Sequence, residues 1–380
     1  MPDKQKSQVF PFVVIGDGIA GYAMALALGQ NGHDVKLISS GNRAVPGGVQ
    51  IAPNTWSALS DLGVREELQA SATPLMMMRL LSLESGITLV SLPLNDRPER
   101  HFYASMRRAK LIEVLAKAAL ATGCVETMTG EVIKVTQQSD HAQAILEDGT
   151  TIKAEWLIGA DGAVGVSRQY VEAGDTPLPP HKRQAFRMVL DKAKLPGLTG
   201  RATTVWLGEG GHIVHYPLDH DQINLVIMTP PSSRAEENAA AMLRQQERLA
   251  PAAEELKSAF AQPLMDWPLL DTWQRGRVLL AGDAAHPMPP HLAQGAGQSL
   301  IDAARLSTRL EERAPGEDLQ LIFSAWSAER IRHLRDITRD ARRAGDLFSL
   351  GGPMARIRNI GLHGIGNAVL GRQLDKLWSH

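Results

Sequence analysis

The sequence has very little cysteine and almost no net charge. Cys124 is the single cysteine among 380 residues, so no internal disulfide can form, and this usage fits a reducing compartment. The formal net charge is −1, whereas proteins that bind nucleic acids or membrane surfaces are usually basic. We therefore predict no nucleic-acid partner and no membrane partner, and a protein that works in the cytoplasm.

Long hydrophobic runs are also missing. No stretch of 18 apolar residues occurs, and the first ten residues, MPDKQKSQVF, contain no apolar core of a secretory signal. The hydrophobic content is nevertheless 44%, which is ample for the cores of two domains. We expect a globular protein of two domains without a metal site.

A glycine-rich turn follows the first predicted strand. Residues 12–15 (FVVI) form a short apolar run, and GDGIAG at 16–21 precedes a helical pattern. This is the GxGxxG arrangement in a strand–turn–helix context. Gly16 permits the tight turn, Gly18 lets a pyrophosphate approach the backbone, and Gly21 lets the helix pack closely on the strand. The stretch predicts a dinucleotide site.

The second predicted strand lacks the acidic residue that usually follows it. In dinucleotide-binding folds, a carboxylate about twenty residues beyond the glycines holds the ribose. Ser39 occupies that position after the strand at 35–38, and Asp34 lies at the wrong end of that strand. We expect the hydroxyl of Ser39 or Ser40 to contact the ribose, and Asp17 to point away from the phosphates.

The stretch at 276–306, GRVLLAGDAAHPMPPHLAQGAGQSLIDAARL, combines several ligand-binding features. A buried strand is predicted at 278–281, and Asp283 ends it with a turn. A proline-rich loop and small residues at 294–297 then precede a predicted helix at 298–310. Small residues before a helix leave backbone N–H groups free to face a negatively polarised ligand.

Two further segments carry candidate site residues. GADG at 159–162 again places an acid and glycines after an apolar strand, and Arg107 and Arg108 fall in the first turn of a helix predicted over 105–120. Cations at a helix N-terminus oppose the helix dipole, so an anionic ligand nearby would explain them. Solvated arginines are the alternative.

The predicted strand HIVHY, at 212–216, carries two groups that can exchange protons on one face. A period of two places His212, Val214 and Tyr216 on one face of the sheet and His215 on the other. Beside a cofactor, the histidine and the tyrosine would suit substrate binding and acid–base work. The alternative is a half-buried pair with satisfied hydrogen bonds.

With three ligand-type turns spread over the chain, an extended cofactor is favoured over a nicotinamide alone. Nearly the whole sequence resembles the single-component FAD-dependent aromatic hydroxylases, the group A flavoprotein monooxygenases, in their salicylate hydroxylase and 6-hydroxynicotinate 3-monooxygenase branch. The resemblance rests on GDAAHPMPPHLAQGAG, GDGIAG, GADG, the sequence RAKL at 108–111 and Trp273 before the late GD turn.

The resemblance implies an α/β fold. A Rossmann-like FAD-binding domain (1–75, 100–175 and 276–330) would carry an inserted antiparallel β-sheet substrate domain (76–99 and 176–275). A C-terminal helical segment would cover 331–380.

The resemblance also implies roles for individual residues. Arg187 would lie near the flavin on the substrate domain, Val132 near the adenine, and Asp161 in a turn shared by FAD and NAD(P)H. His212, Tyr216 and His291 would line the substrate and act in orientation and proton transfer. The residues expected at the cofactor are Gly16, Gly18, Ile19, Ala20, Gly21, Ser39, Gln50, Arg108, Val132, Asp161, Asp283, Pro290, Gly295 and Ala296.

The implied activity is hydroxylation of a small aromatic or N-heteroaromatic substrate with NADH or NADPH and O2, through a flavin hydroperoxide, by a monomer or homodimer. One alternative is a monooxygenase that acts on a larger polycyclic or antibiotic-like compound. Another is a non-catalytic flavin-binding relative, because the chain departs from the family pattern at Asp17, Ser39 and Val164-Gly165.

Overall fold

The structure is a computed structural model that describes residues 9–41, 45–94, 102–173, 178–198 and 200–379. In this part of the chain the helices are α1 (Ile19–Gln30), α2 (Pro53–Asp61), α3 (Arg65–Ser71), α4 (Arg108–Ala121), α5 (Val166–Glu172), α6 (Ala235–Arg244), α7 (Gly295–Glu311), α8 (Leu319–Phe348) and α9 (Gly352–Trp378). The strands are β1 (Val9–Ile15), β2 (Val35–Ser39), β3 (Gly48–Ile51), β4 (Thr73–Pro74), β5 (Met77–Ser82), β6 (Thr88–Pro93), β7 (Ala104–Arg107), β8 (Val125–Thr129), β9 (Val132–Gln137), β10 (Ala142–Leu146), β11 (Thr151–Gly159), β12 (His181–Asp191), β13 (Ala202–Leu207), β14 (His212–Pro217), β15 (Gln222–Thr229), β16 (Phe260–Met265), β17 (Gln274–Arg275) and β18 (Val278–Leu280).

The first sheet brings the ligand-type turns to one edge. Its main path runs β17-β18-β11-β1-β2-β8, and β1 lies in parallel between β11 and β2. Val13 and Val14 are fully buried, as expected for strands covered on both faces. Since β18 is parallel to β11, the carboxyl ends of β1, β11 and β18 meet at the same edge. The turns after these three strands therefore lie together.

The second sheet is largely antiparallel, with the order β16-β12-β15-β14-β13-β5-β6. Only β13 and β5 run in parallel in the described sheet. One face packs against α6, where Ile213, Leu225 and Ile227 are buried in a hydrophobic cluster. The opposite face carries the alternate residues of β14 and turns toward the first sheet. The fold is thus the predicted α/β architecture with a second, antiparallel sheet.

The C-terminal helices cover both halves of the molecule. α8 packs against α7, and α9 runs along β6 at the edge of the second sheet. Phe323 and Trp326 of α8 are fully buried. A small third sheet has the strand order β3-β7-β4.

Two predicted helices have different bounds in the structure. The helix expected over 105–120 begins at Arg108, because residues 104–107 form β7 and pair with β3 and β4. The sequence also predicts a helix over 235–260, but this helix ends at Arg244; short 3₁₀ turns follow, and Phe260 already begins β16. Pro251, which lacks an N–H donor, lies in the first of these turns.

The domain boundaries remain a prediction. β5 and β6, from the segment assigned to the substrate domain, pair with β13 within the second sheet. The predicted boundary at 330/331 lies inside α8, since the apolar face of this helix continues through both parts. The boundaries at 99/100 and 175/176 fall outside the described residues.

Within the described ranges, no helix is long and apolar enough to cross a membrane. The same ranges contain no group of three or more histidine, cysteine, aspartate or glutamate side chains arranged to hold a metal ion.

Candidate functional site

A cavity of about 330 Å³ lies between the carboxyl edge of the first sheet and the second sheet. We call it the main cavity. Segments distant in sequence line it, from the N-terminal glycine turn to the start of α7. The predicted site residues in its wall are Gly18, Ile19, Ala20, Gln50, Arg108, Arg187, Tyr216, Asp283, Pro290, Gly295 and Ala296.

The three glycines of the first turn have different surroundings. A Cβ on Gly21 would lie 1.8 Å from the carbonyl oxygen of Gly16, and a Cβ on Gly16 would lie 2.4 Å from that of Ala160. A Cβ on Gly18 would meet nothing within 4 Å. Gly18 is the N-cap of α1 and lines the main cavity. Its backbone is therefore open to an anionic ligand at the N-terminus of α1.

The late GD turn and the start of α7 form the adjoining part of the cavity wall. Gly282 has a φ of +57°, and a Cβ there would lie 2.4 Å from that of Ala20. Asp283 is exposed toward the cavity. Gly295 and Ala296 are the first residues of α7, so their N–H groups have no acceptor within the helix. A carboxylate and free N–H donors thus face the same space.

A buried network holds the loop between these two elements. His286 and Asp302 are fully buried, with 2.5 Å between Nε2 and Oδ2. Arg330 of α8 donates from Nε to Asp302 Oδ1 at 2.7 Å and from Nη2 to Gln298 Oε1 at 2.6 Å. Burial alone would raise the pKa of Asp302, but His286 and Arg330 outweigh this and hold its pKa below the usual value.

The third wall comes from the turn before β3 and the start of α4. Asn224 Oδ1 accepts a hydrogen bond from the Gly48 N–H at 2.8 Å, and the Arg108 N–H donates to the carbonyl of Gly47 at 3.0 Å. Gln50 lies in this wall, and its Oε1 is buried without a partner among the described residues. An unpaired buried acceptor beside a cavity is suited to a polar ligand.

Several predicted cofactor residues lie outside the wall of the main cavity. Val132 is buried in the first hydrophobic core. Asp161 Oδ2 accepts from the N–H of Ser167 in the first turn of α5 at 2.9 Å, and a Cβ on Gly165 would lie 2.2 Å from its Cγ. Burial raises the pKa of this carboxyl. Gly165, a departure from the family pattern, therefore leaves room for the Asp161 side chain. Asp161 itself does not line the main cavity, whereas its sequence neighbours Ala160 and Gly162 do.

Ser39 lies at the end of β2 as expected, but its hydroxyl has a partner within the protein. Its hydroxyl lies 2.6 Å from Asp17 Oδ2, so it is already bound to a carboxylate. Asp17 points toward β2 and away from the start of α1, as predicted.

The second sheet presents an apolar surface with a polar rim to the main cavity. Ala185, Val226, Met228 and Leu264 form a small hydrophobic cluster on this face. Arg187 is half-buried beside them and donates from Nε to Gln262 Oε1 at 3.3 Å. Burial, partly offset by nearby groups, lowers its pKa, but an arginine remains charged in proteins. No carboxylate among the described residues forms an ion pair with it.

Tyr216 lies at the edge of this apolar surface. Its side chain is buried, and burial raises its pKa to about 12, although Arg187 and Arg108 oppose the shift. The phenol is therefore neutral near pH 7 and can donate a hydrogen bond.

His212 and His291 form a pair outside the main cavity. Their ring centroids are 5.1 Å apart, and both rings pack near Phe348. His291 lines a second cavity of about 190 Å³. The wall residues that this cavity shares with the main cavity are Gln262, Leu264, Asp283, Met288 and Pro290. Burial lowers the pKa of His291 to about 4 and that of His212 well below 6.5. Each ring has a buried Nδ1 without a partner among the described residues.

The three predicted catalytic residues do not share one cavity: Tyr216 lines the main cavity, His291 lines the second cavity, and His212 packs against His291 and lines neither. Tyr216 lies four residues from His212 on β14, roughly 13 Å along the strand. Their joint action on one substrate stays a prediction.

Sequence reasoning missed the residues that connect different segments. These residues share no local pattern, because each becomes a neighbour only through strand pairing or helix packing: Asn224, Met228, Gln262, Asp302 and Arg330. Period two on β15 could have indicated that Val226 and Met228 share a face.

Known proteins are similar to this chain in sequence and in fold. A family model described as the FAD binding domain matches residues 9–341. The chain is 31% identical over 375 residues to 3-hydroxybenzoate 6-hydroxylase 1 of Aquipseudomonas alcaligenes, covering 91% of this chain and 92% of the relative. It is 28% identical over 357 residues to 6-hydroxynicotinate 3-monooxygenase of Bordetella bronchiseptica, covering 86% and 90%.

A solved structure shares the fold across both domains. The structure of Klebsiella pneumoniae HpxO with FAD and uric acid superimposes with a TM-score of 0.83 at 20% identity, covering 97% of this chain and 96% of the other. In the present chain, the open backbone at Gly18, the unpaired Gln50 oxygen and the start of α7 fit a bound FAD. The chain therefore belongs to the FAD-binding family of flavin-dependent aromatic-ring monooxygenases, which use FAD and NADH or NADPH.

Proposed function

We propose that this monooxygenase hydroxylates a single-ring aromatic or pyridine carboxylic acid that already carries a ring hydroxyl. The two relatives named above act on such acids, 3-hydroxybenzoate and 6-hydroxynicotinate. The observation that supports this substrate class most strongly is Arg187, a half-buried cation without a carboxylate partner among the described residues.

The chemistry of the cavity surface supports the same class. An aromatic ring would lie on the apolar side chains of Val226, Met228 and Leu264, which exclude water from one of its faces. Arg187 would hold the carboxylate, since a guanidinium binds a carboxylate through two parallel hydrogen bonds. Small-molecule sites commonly combine an apolar surface with a few convergent polar groups in this way.

Proton handling is assigned to Tyr216 and the histidine pair. Removing the proton from the substrate hydroxyl makes the ring more electron-rich, and a neutral base within hydrogen-bond reach can accept that proton. Tyr216 would orient the hydroxyl as a neutral donor in the main cavity. His291, with His212 behind it, would accept the proton through a water molecule from the adjoining second cavity, because it does not line the main cavity itself. FAD, when bound, supplies the redox chemistry that activates O2.

Arg187 variants test the substrate class. We expect Arg187→Met to raise KM for a hydroxybenzoate or hydroxynicotinate about ten- to a hundredfold, because a hydrogen-bonded charge pair is lost. Arg187→Lys keeps the charge and should raise the KM for these acids by a smaller factor. The measurement is substrate-stimulated NAD(P)H oxidation, with FAD content determined for each variant.

A phenol without the carboxylate is the matched control substrate. Its KM should be the same in wild type and Arg187→Met. If Arg187→Met leaves KM for the acids unchanged, or raises KM for acid and phenol equally, the assignment of Arg187 to the carboxylate is wrong.

Tyr216→Phe tests the proton-handling assignment separately. We expect NAD(P)H oxidation to continue while the hydroxylated product falls about tenfold or more. His215→Gln, on the opposite face of β14, is the control and should leave the product yield unchanged. Equal yields in wild type, Tyr216→Phe and His291→Ala would exclude these residues from proton handling.

Two alternatives are decided by the same assays. Activity with polycyclic compounds but with no single-ring acid would favour the larger substrate. Bound flavin without any stimulated oxidation would favour a non-catalytic relative. The cytoplasmic location and the monomeric or homodimeric state stay predictions.

A further inference from the structure

The carboxylate missing from the end of β2 is supplied by a different residue. Ser39 stands at the position where dinucleotide-binding folds usually carry the ribose-binding acid. The side chain of Asp17, from the glycine turn after β1, reaches this position, with 2.6 Å between its Oδ2 and Ser39 Oγ. Both side chains are half-buried.

The pairing of the strands explains how Asp17 reaches this place. β1 and β2 are parallel neighbours, with Ile15 opposite Ile38, and the Gly16 N–H donates to the carbonyl of Ile38 at 2.9 Å. Asp17 and Ser39 therefore leave adjacent strands at the same carboxyl edge. The Asp17 side chain lies beside the end of β2 instead of over the N-terminus of α1, where the pyrophosphate is expected.

The hydrogen bonds leave Asp17 as the available acceptor. An ionised carboxylate only accepts, so the hydroxyl hydrogen of Ser39 is donated to Asp17. Ser39 Oγ also accepts from the N–H of Gly41 at 3.1 Å, which fixes the hydroxyl in place. Ser39 thus has no hydrogen left for a ligand, whereas Asp17 Oδ1 accepts no hydrogen bond from the described residues.

We propose that Asp17 accepts the hydrogen bond from the adenosine ribose of FAD, and that Ser39 is the positioning residue that holds its carboxylate. The chain thereby keeps a charge-assisted ribose contact, which is stronger than one to a neutral hydroxyl, with the acid moved from β2 to the glycine turn. The inference rests on FAD binding and holds for any substrate.

An FAD analogue without the ribose hydroxyls tests this assignment at the level of atoms. Apoprotein is titrated with FAD and with 2′,3′-dideoxyadenosine FAD, and binding is followed by flavin fluorescence. In the wild type, the analogue should bind roughly tenfold more weakly than FAD. In Asp17→Ala, the affinity for FAD should fall by a similar factor, so that FAD and the analogue bind with equal affinity.

Three variants complete the test. Asp34→Ala removes the exposed carboxylate at the other end of β2 and should leave FAD affinity unchanged. Ser39→Ala should lower the affinity for FAD by a smaller factor than Asp17→Ala does. The double variant Asp17→Ala/Ser39→Glu, with the acid returned to β2, should recover FAD affinity.

Two results would overturn the proposal. One is an FAD affinity in Asp17→Ala within twofold of the wild type. The other is a preference for FAD over the analogue that survives in Asp17→Ala, since Asp17 would then only tie the glycine turn to β2. If Asp17→Ala does not fold, as judged by thermal unfolding of the apoprotein, Asp17→Asn is titrated and the same two results decide.

Discussion

Two glycines of the first turn have different surroundings, and we expect one to serve ligand binding and the other to serve packing. Gly18 and Gly21 belong to the same GDGIAG stretch, yet only Gly18 has open space where a side chain would lie. Its φ of −78° is also ordinary for any residue. The Gly21 position, by contrast, is filled by the Gly16 carbonyl. The structure confirms the close packing predicted at Gly21, and the pyrophosphate contact of Gly18 stays a prediction that follows from the same strand–turn–helix geometry.

Alanine substitutions at these two positions should therefore have different effects. We expect Gly18→Ala to leave the melting temperature of the apoprotein nearly unchanged but to weaken FAD at least tenfold, because a methyl group would occupy the approach of the pyrophosphate. Gly21→Ala should destabilise the apoprotein itself, by about 1–3 kcal/mol or more from overpacking. Thermal unfolding and FAD titration of both variants measure this difference. Equal loss of apoprotein stability in the two would contradict it.

Buried histidines make stability depend on pH. Burial lowers the pKa of His215 to about 3 and that of His291 to about 4, whereas a histidine in the unfolded chain titrates near 6.5. The unfolded state therefore takes up these protons first as the pH falls. The stability that the neutral histidines provide is complete above about pH 6.5 and is lost progressively toward pH 4 and below.

His215→Gln should reduce this pH dependence. We expect the loss of unfolding free energy between about pH 7 and pH 4.5 to be smaller in this variant than in the wild type. His220→Gln, an exposed histidine nearby in sequence, is the control and should keep the wild-type slope. Denaturant unfolding at both pH values provides the measurement. Identical slopes in the two variants would show that His215 does not titrate as its burial implies.

Among the elements, the loop between β18 and α7 is held by side chains of two helices, α7 and α8. His286 lies in this loop, Asp302 lies in α7 and Arg330 lies in α8, and the three side chains form one buried network. Trp326 of α8 adds a hydrogen bond from Nε1 to the carbonyl of Asp302 at 3.1 Å. Through α7, helix α8 thus fixes the position of the loop that lines the main cavity.

Removing one member of this network should destabilise the protein strongly. Asp302→Asn leaves Arg330 buried without a counter-charge, so we expect a loss of about 3–5 kcal/mol in the free energy of unfolding. Asp271→Asn breaks the exposed ion pair with Arg335 and should cost less than about 1 kcal/mol. Denaturant unfolding of the two variants distinguishes these outcomes. A comparable small loss in both would show that the buried network contributes little.

Elements with a clear period were predictable, and elements set by distant partners were not. The alternation at 212–216 correctly placed Val214 and Tyr216 on one face of β14 and His215 on the other. Residues 105–107 are predicted as the start of a helix, but they belong to β7 and pair with β3 and β4. Tertiary pairing overrides local helix propensity there.

At the scale of the whole molecule, the cofactor side of the site was more predictable than the substrate side. Gly18, Asp283 and the start of α7 belong to local turns whose shape follows from nearby residues. The apolar surface under the proposed substrate joins side chains from β12, β15 and β16, and the sequence contains no signal for this pairing order. For the same reason, the sequence did not indicate that Tyr216 and His291 line different cavities.

In the proposed function, both halves of the molecule act on one small acid. Arg187 and the apolar surface come from the second sheet, whereas Asp283, Gly295 and the N-terminal glycine turn come from the first domain. Neither half alone contains both the proposed carboxylate site and the proposed flavin site, so hydroxylation of the acid would need both halves.

The most direct test is NAD(P)H oxidation by the FAD-loaded protein with a panel of hydroxybenzoates and hydroxynicotinates under isotopically labelled O2. We predict that at least one acid stimulates oxidation, and that its product carries one additional, labelled oxygen on the ring. We also predict that the corresponding phenol or pyridine without the carboxylate is a much poorer substrate. Stimulation by none of these acids, or release of hydrogen peroxide without any ring-hydroxylated product, would contradict the account.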